Sequence, residues 1–250
     1  METVQHPSGG TGPQWPNHPN ALMHGPAHPC SYLPERWAES DWFVAARLPA
    51  GAYHSLMDLN FRRSGSVFYR AACDGCRECK AIRVPVQEFR PTRSQRRCWR
   101  RNQDISVTVG PPVPTQDKLE LYQRYLRERH DREMGGSWSE FCGFLYNSPL
   151  HTREAVYRLA GQVVAAGIVD VEPHAVSTVY CYYDPAASGR ALGVFNVLWT
   201  IDWCRREQVP YVYLGYFVRD CSKMNYKAHY RPCEVLEPDG RWRRLVSGEW

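Results

Sequence analysis

The stretch that decides the fold is Glu154–Asp184, EAVYRLAGQVVAAGIVDVEPHAVSTVYCYYD. It divides into three runs, "EAVYRLA", "QVVAAGIVDV" and "AVSTVYCYYD", each rich in valine, isoleucine or tyrosine. β-Branched and aromatic residues suit a pleated surface, so the three runs read as consecutive strands of an antiparallel meander.

Working outward, the spacing predicts helices before the meander. "TQDKLELYQRYLRERHDR" opens on Thr115 as N-cap and repeats Leu119, Tyr122 and Leu126 at helical intervals. "SWSEFCGFLYN" opens on Ser137 and Glu140, the pattern of a capping box. After the meander come an amphipathic helix, "ALGVFNVLWTIDWCRREQ", a strand, "PYVYLGYFV", a short basic helix and a tail strand. This order suits an α+β domain of the N-acetyltransferase-like (GNAT) type with a mixed, mainly antiparallel sheet. Fold alone gives no function.

Upstream, "GAYHSLMDLNFRRSG" reads as a short helix ending near Gly65, and "VFYRAA" and "AIRVPV" as strands. The prolines of "PPVP", Pro111–Pro114, interrupt both helix and ladder and mark a boundary. The expected organisation is a disordered tail at 1–22, rich in Pro, Gly, His and Asn, a cysteine-containing α/β region at 23–110, and the GNAT-like domain at 111–250.

The 250 residues carry 31 basic and 26 acidic side chains, so the net charge of +5 is only a slight pull toward polyanions. No apolar run approaches the roughly 18 residues of a membrane span, and the N-terminus has neither the basic nor the apolar region of a secretory signal. Most of the ten cysteines are scattered among apolar runs, where free Cys behaves as a small hydrophobe. The expected compartment is a reducing cytoplasm.

Two motifs stand apart. "CDGCRECK" sets Cys73, Cys76 and Cys79 three residues apart, with Gly75 to allow the turn. Three thiolates and a remote fourth, best supplied by Cys30 with His28 second, match the habit of iron–sulfur sites. Structural zinc and metal-free thiols are the alternatives. "RPTRSQRRCWRRN" puts Arg93, Arg96, Arg97, Arg100 and Arg101 on one face of a helix without an acid, and turns Cys98 and Trp99 to the core. Planar guanidinium forks suit phosphate, and no groove-reading DNA motif is present, so the expected polymer is RNA.

The C-terminal third concentrates tyrosines. Tyr211 and Tyr213 share one strand face. Lys223, Lys227 and Arg231, four residues apart, suggest a second cationic stripe. Asp170, an acid in an apolar strand, reads either as a satisfied ion pair or as a binder of an ammonium group. Asp184, before Pro185, reads as a turn residue with a direct role as the alternative. "ASGRALG" is a candidate anion nest that lacks the full glycine signature of a coenzyme A loop.

Taken together, "CSYLP", "CDGCRECKAIRVPV", "RSQRRCWRRN", "YYDP", "LGVFNVLW" and "YVYLGYFVRDCSKMNYKAHYRP" resemble the bacterial aspartate/glutamate leucyltransferases, relatives of the arginyl-tRNA–protein transferases. The resemblance spans residues 24–244, with Glu35 standing where the family pattern leads one to expect glycine. It implies transfer of an amino acid, leucine on the bacterial motif set and arginine as the alternative, from aminoacyl-tRNA to proteins with N-terminal Asp or Glu. It further implies a degradation signal as the outcome, no nucleotide cofactor, and an iron–sulfur cluster in eukaryotic relatives.

Residue chemistry can then be matched to that reaction. Arg96, Lys223, Lys227 and Arg231 are candidates for the acidic acceptor terminus. Arg93, Arg97, Arg100 and Arg101 are candidates for the tRNA phosphates. Tyr182, Phe195 and Trp199 would line a leucyl pocket. Asp170 would orient or deprotonate the amine, a tyrosine hydroxyl such as Tyr182 or Tyr213 would meet the oxyanion, and Asp184 is a further catalytic candidate. Cys30, Cys73, Cys76 and Cys79 would be metal ligands. The rival readings are an acetyl-CoA-dependent acetyltransferase and a non-catalytic RNA-binding metal knuckle.

Overall fold

A computed structural model describes residues 22–129, 136–246 and 248. The expected tail at 1–22 lies outside these residues except for Leu22. The first part of the chain gives β1 (Met23–His24), β2 (His28–Pro29), β3 (Trp37–Ala38), β4 (Ser40–Val44), α1 (Ala52–Asp58), β5 (Arg62–Ser64), β6 (Val67–Ala71) and β7 (Lys80–Pro85). The middle gives α2 (Arg93–Arg101), β8 (Ile105–Gly110), α3 (Gln116–Arg129) and α4 (Trp138–Phe141), which runs into a π-helical turn, Cys142–Tyr146. The meander follows as β9 (Thr152–Leu159), β10 (Gln162–Glu172) and β11 (Ala175–Tyr183). Then come a 3₁₀ turn (Pro185–Arg190), α5 (Leu192–Arg206), β12 (Tyr211–Phe217), α6 (Ser222–Asn225), a second 3₁₀ turn (Tyr226–His229), β13 (Glu234–Leu236) and β14 (Trp242–Arg244).

The meander forms as its composition requires. Leu159 and Gln162 pair across a two-residue turn in which Ala160 and Gly161 both have positive φ, the geometry that matches the twist of a hairpin. The sheet it belongs to has eight strands in the order β14-β13-β7-β12-β11-β10-β9-β8. Every adjacent pair is antiparallel except β11 and β12, which are parallel and joined by the α5 crossover. Helices α2 and α5 cover one face, where Phe195, Leu198, Ile201 and Cys98 meet Val176, Val212 and Leu214. Helix α3 and the π turn cover the other, where Leu121, Tyr122 and Phe141 meet Ala166, Ile168 and Tyr182. This is the GNAT-like α+β architecture expected from the element order.

One expectation needs correction. The helix read to near Gly65 ends at Asp58. Asn60, at φ 69°, turns the chain out of the helix, and Arg62–Ser64 becomes a strand paired to β6. Gly65 closes that hairpin at φ 58°, and a Cβ there would sit 2.6 Å from the Gly143 carbonyl oxygen. The expected boundary at 110/111 falls between β8 and α3. Strands β7 and β8, from its N-terminal side, belong to the eight-stranded sheet. A separate four-stranded antiparallel sheet, β1-β4-β6-β5, has its strands paired only with one another, and its aromatic core under α1 is shared with Ala175 and Tyr213 of the large sheet.

Candidate active site

The one parallel pair in the large sheet comes undone. Strands β11 and β12 are partners only at Ala175–Tyr211, Val176–Val212 and Ser177–Tyr213. Both continue, β11 held by β10 as far as Tyr183 and β12 held by β7 as far as Phe217, but no longer against each other. The result is a fork. Each arm carries an irregularity that bends it: Val179 is an unpaired bulge against Ile168 and Val169, and β12 gains an extra residue between Tyr213 and Tyr216 around Gly215, at φ 83°. The Thr178 hydroxyl closes the crotch by donating to the Tyr213 carbonyl at 3.0 Å. Exposure changes at the same point. Ala175–Ser177 are buried, whereas Thr178–Cys181 are half-buried. A fork of this kind leaves backbone donors and acceptors without strand partners, which an extended guest can use.

Beside the β12 arm lie two buried cations. The Lys227 ammonium donates to the Tyr216 carbonyl at 2.6 Å, and Arg62 donates from Nη2 to the Gly215 carbonyl at 3.0 Å. The Arg62 guanidinium also lies over the Tyr216 ring, 5.1 Å from its centroid, and its Nε is buried without a partner. Lys227 is 8% exposed and Arg62 5%. Among the described residues neither has a carboxylate within ion-pair distance. Burial, and then the Arg62 charge, pull the Lys227 pKa down to about 7, while Cys221 and Cys79 oppose the shift. Two adjacent buried cations held by neutral carbonyls, the Met224 thioether and the Tyr216 ring are costly, and an anion would relieve that cost. The sequence does not single out Arg62, because "FRRSG" has the pattern of a helix end. Adjacent arginines in an apolar run were the available signal.

The predicted site residues fall in several places. Asp170 is fully buried and doubly bonded to Arg63, Nε to Oδ2 at 2.6 Å and Nη2 to Oδ1 at 2.7 Å, with the Thr152 hydroxyl donating at 2.6 Å. It is the satisfied ion pair and has no approach for an amine. Asp184 caps the 3₁₀ turn by accepting from the Ala186 N–H and stands 3.8 Å from Arg124, so it is the turn residue. Tyr213 is buried and donates its hydroxyl to Asp58 at 2.5 Å, with His54 and Arg83 also in contact, so it has no proton left for an oxyanion. Tyr182, hydrogen-bonded to Tyr146 at 3.0 Å, belongs to the α3 face of the sheet. Phe195 and Trp199 belong to the α5 face. A sheet stands between them, so the three cannot line one pocket.

The cationic stripe Lys223–Lys227–Arg231 also does not form. The helix tightens to 3₁₀ at Tyr226, so Lys227 turns inward while Lys223 stays exposed and Arg231 is half-buried. Arg96 lies on α2, exposed and donating to the Pro91 carbonyl, beside Gln95, which reaches that turn through the His229 carbonyl at 3.1 Å. The four proposed acceptor cations therefore do not converge. The "ASGRALG" segment is no anion nest either. Its Gly189 carbonyl accepts from Arg101, and Arg190 is held bidentate by Asp104 at 2.8 Å.

Helix α2 is as expected. Thr92 and Gln95 form a capping box, Cys98 is buried, and Arg93, Arg96, Arg97, Arg100 and Arg101 are exposed. Among the described residues none of the five is ion-paired. Such a face can hold phosphate oxygens.

The four cysteines gather beside the small sheet. Burial first, then Cys73, Cys30 and Cys76, push the Cys79 pKa up to about 12. The Glu39 N–H donates to Cys73 Sγ at 3.4 Å and Arg36 to Cys76 Sγ at 3.2 Å. The donor type fits a thiophilic centre. Among the described residues no three His, Cys, Asp or Glu side chains are grouped as placed to hold a metal ion. No described helix is long and apolar enough to cross a membrane.

Comparison with known proteins matches this chain to a family. "Arginine-tRNA-protein transferase, N terminus" matches residues 28–97 and "Arginine-tRNA-protein transferase, C terminus" matches residues 117–237. Among similar proteins are aspartate/glutamate leucyltransferases of Hahella chejuensis, 39% identical over 86% of this chain and 93% of that protein, and of Stenotrophomonas maltophilia, 42% identical over 86% and 88%. That of Pseudomonas fluorescens SBW25 is 40% identical over 87% and 94%. Among solved structures, the C-terminal domain of a protein described as a lysylphosphatidylglycerol synthetase from Agrobacterium fabrum has a TM-score of 0.50 at 12% identity. It covers 78% of this chain and 64% of that one, and its likeness is one of fold.

Proposed function

This chain belongs to the arginine-tRNA–protein transferase family, as an aspartate/glutamate leucyltransferase type of aminoacyltransferase, and from that premise we propose which of its residues meet each substrate. The reaction moves leucine from the 3′ ester of a charged tRNA to the N-terminal Asp or Glu of an acceptor protein. The acceptor's neutral α-amine attacks the ester carbonyl. A C–N bond forms, the C–O bond to the ribose breaks, and the amine proton ends on the ribose oxygen. An ester becomes an amide, so the step runs downhill without a nucleotide cofactor.

The observation that carries the reading is the fork with two uncompensated cations on one arm. The acceptor terminus enters the fork as an extended segment, and its side-chain carboxylate is met by Arg62 and Lys227. The tRNA acceptor arm lies on the arginine face of α2. Backbone N–H groups along the parted edges of the fork are the donors proposed for the oxyanion. No nucleophilic triad is needed, and much of the rate comes from holding amine and ester together. The cytoplasm is where both substrates are made, and the product is a degradation signal.

The test uses labelled leucyl-tRNA and peptides that begin with Asp or Asn. Wild type labels the Asp peptide and not its neutral isostere. Lys227→Met loses most of that preference through a raised KM, and wild type's own KM for Asp rises as pH passes about 7, where Lys227 sheds its proton. Full discrimination in Lys227→Met removes the cations from the acceptor site. Absence of any transfer by wild type would refute the reaction itself.

Cys30, Cys73, Cys76 and Cys79 are proposed as ligands of a thiolate-held centre, iron–sulfur with zinc as the alternative. Cys76→Ser should lose iron or zinc measured per chain, and unchanged metal content would discard the ligand set.

A further inference from the structure

Between α2 and α5 runs a groove of about 470 Å³ that the acceptor fork does not use. Its floor is apolar: Phe89, Trp99, Leu198 and Ile201. Its rim carries Arg96 and Arg100 from the arginine face of α2, with Asp202 opposite on α5. Trp99 is half-buried, its ring 5.6 Å from that of Phe195, so one part of the indole is fixed in the core and the rest lines the opening. Arg100 uses only its Nε, on the Arg96 carbonyl 3.4 Å away. Its two terminal nitrogens have no partner among the described residues.

We propose that this groove receives an unstacked base from the unpaired 3′ segment of the tRNA. The proposal rests on the transfer reaction given above and names where the donor RNA is gripped beyond its phosphates. Charge selects the occupant. An apolar slot on an otherwise uncompensated cationic helix suits a guest that is flat and apolar in its faces and anionic along its backbone. A single-stranded nucleotide is that guest: its base stacks on an aromatic or guanidinium plane while neighbouring phosphates meet arginines. Asp202, held by Arg206 at 3.2 Å, can accept from an exocyclic amino group of the base. A greasy peptide would bury the same floor but leave Arg96 and Arg100 unanswered.

The experiment compares binding of uncharged leucine tRNA, intact or trimmed of its unpaired 3′ nucleotides, to the full chain. Leaving the tRNA uncharged removes any contribution from the leucyl group. Wild type should favour intact over trimmed tRNA on the order of tenfold for each stacked base. A 2-aminopurine placed in the segment should be quenched on binding. Trp99→Ala should bind both RNAs alike. Because that change also opens the core, Asp202→Trp is the second variant; it fills the groove from a partly exposed position and should abolish the same preference while leaving the salt slope unaltered. The inference is overturned if wild type shows no preference, or if Asp202→Trp keeps it. Labelled-leucine transfer by wild type is measured alongside: transfer with no effect of groove filling sinks the groove alone, and no transfer sinks the reaction on which it stands.

Discussion

Asp170 and Lys227 are both buried, the first in an ion pair with Arg63 and the second on the Tyr216 carbonyl. An acid in an apolar strand invites a catalytic role, yet Arg63 and Thr152 satisfy both of its oxygens in a site without solvent. A lysine in a basic stretch invites a surface role, yet Lys227 is drawn under the chain to a carbonyl. The difference lies in partners supplied from far away in sequence, Arg63 for the one and β12 for the other. For Asp170 the expected outcome is structural. Asp170→Asn leaves Arg63 buried without its counter-charge and should lower unfolding free energy by about 3–5 kcal/mol, read by denaturant titration. Whatever stays folded in the cold should still transfer leucine. An Asn variant as stable as wild type but inactive would return Asp170 to the reaction.

At the scale of elements, most of the fold was legible and most of the site was not. The meander, α3, α5 and the arginine helix are written in local period and capping, and they form where those signals lie. Arg62–Ser64 escaped because its pattern is that of a helix tail. The fork escaped for another reason: two strands that part after Ser177 look the same in sequence as two that stay paired. Sequence alone allows Tyr182 and Phe195 one pocket, because spacing does not say which face of a sheet a crossover helix will cover. The arginine helix carries its own prediction. Its five cations are exposed and unpaired, so reversing Arg97 and Arg101 to Glu should weaken tRNA binding at low salt and flatten the dependence of affinity on salt. An unchanged slope would take this face out of the RNA contact.

For the whole molecule, the decisive feature is the place of β7. Residues 80–85 sit between β12 and β13, so the cysteine-bearing half and the meander half share one sheet. Cutting the chain at Pro111–Pro114, where the prolines suggest a linker, should give two fragments that do not fold apart. Expressed singly, 22–110 and 111–250 should each lack dispersed amide spectra; two well-folded fragments would show that the shared sheet is dispensable.

That shared strand also bears on how the protein is made. Ala81, Ile82 and Val84 are completely buried in the finished molecule, yet both flanking strands begin at Tyr211 or later. On a translating ribosome this greasy segment would wait on the order of ten seconds for its neighbours to be synthesised. Until then its apolar side chains lack the strands that cover them, and that interval is when the chain is most open to aggregation.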